Sequence, residues 1–572
     1  MKLIIKQYLA SLRERGELDA ILPDLLSQMG LNVISRPGRG TRQSGVDVAA
    51  VGNIGDGKEK IYLFSIKPGD LTRNSWRDGS VQSLRPSLDE IIDTYIPNRI
   101  PLEHKDKDVV ICICLGGDIQ EQVREDVVGY VNRNTREHLT FEEWNGDKLA
   151  SLILEFFLRE DLLPQNARSK LRKSLALLDE PESSYHHFAK LIKSLSKAEN
   201  LKADREMIVL RQINICLWIL FSWARDTDVD NLEAAYLASE ISVLHAWEIT
   251  KPYANQDTKN ATTIQMAFIS ILSLYQEICL KYVYQKILPG VYKKHALSFA
   301  VRASHNLDVN LKLFDVLGRL ALSGIWAYFG IKSDDEQTSI NNEQLLQNFQ
   351  VASAAVKQII SNNPILLLPV KDDQAIDISL AVLLLMFDKN NHKSIADWLS
   401  ELTTRTAFAL KIRDQYPCTL RSYGELLELS ETHDSERFKE VTQGSILLPM
   451  IALWAALLDD NETYHQVQNI KRELLSHCNF QIWYPDEESE ALVYINSDSH
   501  GATLSHVCVD RPMDEFLKQV FGECEHSSQF DKLSAVKSGL WPLLLVACRH
   551  YRLPLPPHLW NFFKVSPEKS ID

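Results

Sequence analysis

Residues 1–158 change hydrophobic period repeatedly, whereas residues 159–572 keep almost entirely to one. Leu3–Met29 carries apolar residues at helical spacing and meets Gly30 where a helix C-cap is expected. Asn32–Ser35 reads as a short strand, and Val46–Val51 as an apolar, β-branched one. The Gly-Asp-Gly within Asn53–Lys60 predicts a hairpin turn into a further strand, Ile61–Lys67. Val81–Tyr95 returns to helical spacing. Asp108–Leu115 is the most apolar strand candidate and is closed by Gly116-Gly117. Helical Ile119–Asn134, strand Leu139–Trp144 and helical Asp147–Leu158 follow. The order α-β-β-β-α-β-α-β-α predicts a mixed sheet flanked by helices on both sides, an α/β domain over 1–158.

Beyond Arg159 the pattern is helical. Ile213–Ala224, Ile376–Phe387 and Ile446–Leu458 are apolar nearly all round, which predicts central helices surrounded by others. Breaks near Glu180–Ser184, Ser333–Glu343, Asn362–Asp373 and Asp486–Gly501 are consistent with one helical domain or with two, 159–335 and 336–572. One short strand-like stretch, Phe480–Tyr484, interrupts them. The longest uncharged run, Val441–Leu458, contains Gly444 and Pro449 and is shorter than the ~20 apolar residues of a bilayer span. It reads as a buried helix. The opening residues become charged too early for a secretory signal, so the expected setting is the cytoplasm, away from a membrane.

Composition refines this picture. With 45% hydrophobic and 24% charged residues, the 572-residue chain has a globular make-up. Its nine cysteines include no C-x-x-C pair, which argues for reduced thiols and against a disulfide frame or zinc ribbon. No Gly-Lys-Ser/Thr occurs, so a P-loop is absent. The formal charge of −14 speaks against indiscriminate coating of nucleic acid. Residues 31–85 depart from that average: nine Lys/Arg against five Asp/Glu leave +4.

The candidate chemistry lies in the same stretch. Asp47 begins one strand and Lys67 ends its hairpin partner, so a carboxylate and an amine come to one end of adjacent strands. A metal-dependent phosphodiesterase needs this pairing. The carboxylate holds Mg²⁺ through hard oxygen, and the ammonium positions water and offsets charge on the phosphorane. The Ile66 carbonyl is a candidate second oxygen ligand. Asp47 and Lys67 would otherwise form a cross-strand salt bridge.

Gly45-Val46-Asp47-Val48 followed by Ser65-Ile66-Lys67 resembles the PD-(D/E)xK restriction-endonuclease-like superfamily, its Mrr-type branch above all. There the first strand carries G-x-D-V and the next Q/E-x-K. The resemblance covers about 17–158, including the closing strand and helix within EEWNGDKLASLI. It implies a restriction-endonuclease-like fold, DNA as substrate and Mg²⁺ or Mn²⁺ as cofactor. It also implies an acidic residue in the first helix about eleven positions before Gly30, which is Asp19, with Glu17 as the fallback. Asp47 and Asp19 would then bind metal, and Asp47, Lys67 and Asp19 would be the catalytic set. Ser65 departs from the pattern, because a hydroxyl replaces the usual Glu or Gln. Asp19, Glu17 or Asp70 must then supply the second carboxylate.

Arg36, Arg39, Arg42, Arg73 and Arg77 flank the motif strands as candidate phosphate contacts, with Gln43 orienting water or Asp47. Exposed arginines on loops also serve simply as a solvated face. The implied whole is a DNA endonuclease joined to a helical sensor, oligomerisation or partner platform, of the kind used in anti-phage or mobile-element defence. The alternative is a catalytically degenerate module that binds nucleic acid or a partner protein without cleavage.

Overall fold

A computed structural model describes residues 2–12, 14, 18–35, 44–55, 57–77, 83–157, 165–196, 203–226, 231–333, 339–412, 416–431, 435–495 and 502–563. The chain divides into two units, Met1–Ala235 and Tyr236–Asp572. The expected boundary at 158/159 falls inside the first unit, and that at 335/336 inside the second.

The first unit is built on a five-stranded sheet with its strands in sequence order. β1 (Asn32–Ser35), β2 (Val48–Gly52) and β3 (Lys60–Lys67) pair antiparallel, and β4 (Val109–Leu115) and β5 (Leu139–Trp144) continue parallel to β3. Burial follows position. All seven residues of β4 are buried, as a near-continuous apolar run demands of a strand covered on both faces. Edge strands β1 and β5 are partly exposed.

One face presents Ala49, Ile61, Leu63, Ile111 and Ile113 to a core shared with Leu84, Leu88 and Ile91, and with Val123 and Val127 of the helix Glu121–Asn134. Phe64 and Trp144 meet edge to face, with ring centroids 5.0 Å apart. α1 (Lys2–Ser11) packs beside the helix Gly146–Leu152, and Lys2 reaches Asp147 at 2.8 Å. The apolar run expected as one helix over 3–29 contains two, α1 and α2 (Asp19–Gln28).

The second unit is mainly helical, but among its described residues two strands besides the expected one stand where helical periodicity alone was read. β6 (Gly444–Ser445) pairs parallel with β7 (Asn479–Pro485), which pairs antiparallel with β8 (Ala502–His506). β7 contains the predicted Phe480–Tyr484. Two residues are too few to show a period, and Ala-Thr-Leu-Ser-His holds one large apolar side chain, so β6 and β8 leave almost no pattern in the sequence. The apolar helices Ala375–Met386 and Leu447–Leu457 are buried nearly throughout, as expected. Among the described residues, three helices are long and apolar enough to cross a membrane, at 206–225 in the first unit and at 259–291 and 306–332 in the second, and 72%, 39% and 67% of their apolar windows are buried.

A chain of buried ions ties distant parts of this unit together. Glu240, fully buried, accepts from Arg549 Nε at 3.0 Å and contacts His550 Nδ1 at 3.0 Å. Arg549 reaches Asp315 at 2.8 Å, and Asp315 pairs with Arg319 at 2.6 Å. Burial alone would raise the Glu240 carboxyl, but Arg549 and His550 hold it down at about 2.

Candidate active site

Asp47 sits just before β2, where the hairpin strands begin to separate. Its N–H donates to the Phe64 carbonyl at 2.8 Å, and its Oδ2 accepts from the Ile66 N–H at 2.7 Å. The residue therefore brackets Ser65 from the neighbouring strand. The preceding glycine makes this approach possible. Gly45 has φ +80°, and a Cβ there would lie 2.0 Å from the Ser87 carbonyl oxygen. Both the backbone conformation and the space exclude a side chain. Gly45→Ala is expected to destabilise the unit by about 3 kcal/mol or more, measured by urea unfolding. An unchanged midpoint would show that the loop can move away from Ser87.

Lys67 ends β3 and is buried. Its Nζ lies 3.4 Å from Glu14 Oε2. Glu14, in the stretch between α1 and α2, is the residue that sequence reasoning missed. The count back from Gly30 selects Asp19, and the Leu-Arg-Glu-Arg-Gly-Glu-Leu-Asp run offers several acids with nothing in spacing to rank them. Asp19 opens α2, and its charge is felt at Asp47 together with that of Glu14. Glu17 lies outside the described residues, as do Arg36, Arg39, Arg42 and Gln43. Asp70 serves the loops instead of the cluster: its Oδ1 accepts the Asp118 N–H at 2.9 Å. Arg73 and Arg77 are exposed at the two ends of a short turn of helix, while Trp76 between them is buried against Tyr130.

The electrostatics single out Asp47. Burial pushes its carboxyl up, and the negative charges of Glu14 and Asp19 add to that. The Ile66 N–H and Lys67 oppose them, and the result is about 6 instead of the ordinary 3.8. A carboxyl raised on folding contributes stability that is present below its unfolded value and lost as pH rises through the folded one. In EDTA, Asp47→Asn, which keeps the acceptor for Ile66, should therefore stabilise the protein by about 3 kcal/mol at pH 8, mostly gone by pH 4. Urea unfolding at the two pH values checks this, and a pH-independent difference would refute it.

The donors suit a hard divalent cation in kind: carboxylates of Asp47, Glu14 and Asp19, and the Ile66 carbonyl. A cation would relieve the like-charge crowding that raises Asp47. The Ser65 hydroxyl is buried, and its oxygen has no hydrogen-bond partner among the described residues. Also among the described residues, no three His, Cys, Asp or Glu side chains stand close enough to hold a metal ion together. The arrangement is thus one half-buried carboxylate fixed by a strand N–H, a lysine two residues beyond Ser65, and flanking acids from the first helical segments. No protein-family model, curated protein or solved structure matches this chain.

Proposed function

We propose that the first unit is a metal-dependent phosphodiesterase of the restriction-endonuclease-like kind, acting on DNA. The observation that carries this reading is the meeting of Asp47, Lys67 and Glu14 at the end of the β2–β3 hairpin. A salt bridge that served stability alone would join Asp47 to Lys67. Here Lys67 pairs instead with a third residue, and Asp47 is left with a raised carboxyl near other acids.

For Asp47, Glu14 and Asp19 to hold Mg²⁺ or Mn²⁺, with the Ile66 carbonyl beside them, the three acids would have to draw closer together than they stand here. Such an ion supplies Lewis-acid stabilisation of charge on the scissile phosphate. The chain's own part is positional. The Ile66 N–H fixes the Asp47 carboxylate, and Glu14 steadies the Lys67 ammonium, which orients water and offsets phosphate charge. The exposed Arg73 and Arg77 would meet the DNA backbone.

Supercoiled plasmid incubated in Mg²⁺, Mn²⁺ or EDTA tests this: nicking should need the metal. A second reading, a nuclease-like module that binds without cutting, is favoured by Ser65 and by the lack of a converged three-residue metal set among the described residues. Ser65→Glu separates the two. In a weak but working site the added carboxylate should tighten Mg²⁺ in calorimetry and raise cleavage. Metal binding with no cleavage in either protein would favour the binding module. No metal binding by either would discard the motif assignment.

A further inference from the structure

The second unit contains a cleft of about 690 Å³, within the range of roughly 300–1,000 Å³ typical of small-molecule sites. Five segments form it: the turn at 371–376 that enters the helix Ala375–Met386, the loop 418–421, Ile446, β7, and the chain at 551–554. Its wall carries three cations, Lys371, Arg421 and Arg552, and two acids, Asp372 and Asp373.

The acids are already engaged. Asp372 accepts from Ser445 Oγ at 2.6 Å and from the N–H groups of Ile446 and Leu447 at 2.7 and 3.3 Å, so its carboxylate serves the start of the helix Leu447–Leu457. Asp373 is shared, at 2.9 Å from Lys371 and 3.4 Å from Arg552. Asp377, behind the wall, takes a second nitrogen of Arg552 at 2.9 Å. Two carboxylates thus balance Lys371 and Arg552. Arg421 is exposed and has no partner among the described residues. With Asp372 and Asp377 counted, the three cations face three carboxylates, and Arg421 is the cation that no carboxylate pairs among the described residues.

Arg552 adds an independent observation. It caps the helix Pro542–Tyr551 in the left-handed region, φ 56° and ψ 44°, where glycine is the usual residue. Glycine would make the same backbone bonds to Arg549 and Cys548 without the cost of a Cβ, on the order of 1 kcal/mol. What glycine lacks is the guanidinium, which Asp373 and Asp377 hold rigidly at the cleft with about a third of the side chain exposed.

We propose that this cleft binds a small organic phosphate through Arg421 and Arg552. A phosphate offers three oxygens, enough for the Arg421 fork and for the Arg552 donors that Asp373 and Asp377 leave free, whereas a carboxylate is satisfied by one fork. Ile376, Leu420 and Leu553 supply an apolar wall for the organic body, and the Gln481 carboxamide, unpartnered among the described residues, supplies a polar contact.

Calorimetry on the full chain, with AMP, glucose 6-phosphate and inorganic phosphate as probes and adenosine and glucose as uncharged controls, tests this. At least one organic phosphate should bind with a dissociation constant below about 1 mM, its uncharged counterpart should not, and the preference between AMP and glucose 6-phosphate identifies the body. Arg421→Gln, at an exposed position, should weaken that binding at least tenfold without lowering the melting temperature. Failure of both organic phosphates to bind would overturn the proposal. Equal binding by the uncharged controls, or by Arg421→Gln, would overturn it as well.

Discussion

Asp47→Ala should lower Mg²⁺-dependent plasmid nicking by at least about a thousandfold. A metal-held carboxylate supports several kcal/mol of transition-state charge stabilisation, and each 1.36 kcal/mol is tenfold in rate. The fold should survive the change. Removing the side chain leaves the Ile66 N–H without its 2.7 Å acceptor, at a cost of about 1–3 kcal/mol, but it also removes a carboxylate whose burial is unfavourable. The two effects oppose each other, so urea unfolding at neutral pH should move little while cleavage disappears. Lys67→Ala should also slow cleavage but leave Mg²⁺ affinity nearly intact, because the amine acts on water and phosphate. Wild-type nicking by Asp47→Ala would remove Asp47 from the chemistry. Equal loss of Mg²⁺ affinity in both variants would mean that the strand-end cluster had collapsed.

Arg549→Met should destabilise the second unit by about 3–5 kcal/mol, enough to prevent folding at 37 °C in a marginally stable protein. Glu240 would keep only His550 as a partner, and Asp315 only Arg319. The carboxyl now held at about 2 would rise, because only His550 would be left to oppose the effect of burial. Replacing both partners, Glu240→Leu with Arg549→Met, should recover most of the loss, since paired removal leaves no orphaned charge at Glu240. Thermal unfolding of wild type, single and double variants forms the cycle. A double variant as unstable as the single would show that packing around Arg549, and not its charge, sustains the unit.

Much of the first unit's fold is legible along the chain. β1 and β5 match their predicted limits, and β3 and β4 differ by one residue, because β-branched and aromatic runs bounded by turn residues leave few alternatives. The apolar helices at 375–386 and 447–457 are equally plain, since a helix that is apolar all round can only be interior.

The site was readable only in part. Local spacing placed Asp47 and Lys67 at one end of paired strands, because hairpin register is set by a few neighbouring residues. Three features belonged to the folded molecule alone: that Glu14 meets Lys67, that Asp70 binds the next loop, and that Asp47 is driven to about 6. Each depends on segments tens of residues apart in the chain. The same holds in the second unit, where Asp372 serves a helix that begins 75 residues later and Arg552 reaches back 175 residues to Asp377. Periodicity reports which face of an element avoids water, so the sequence by itself determined most of the elements and offered candidate residues for chemistry. It carries no record of which distant side chains will share a cavity. Burial, charge crowding and the partner of each ion therefore fell to the tertiary structure.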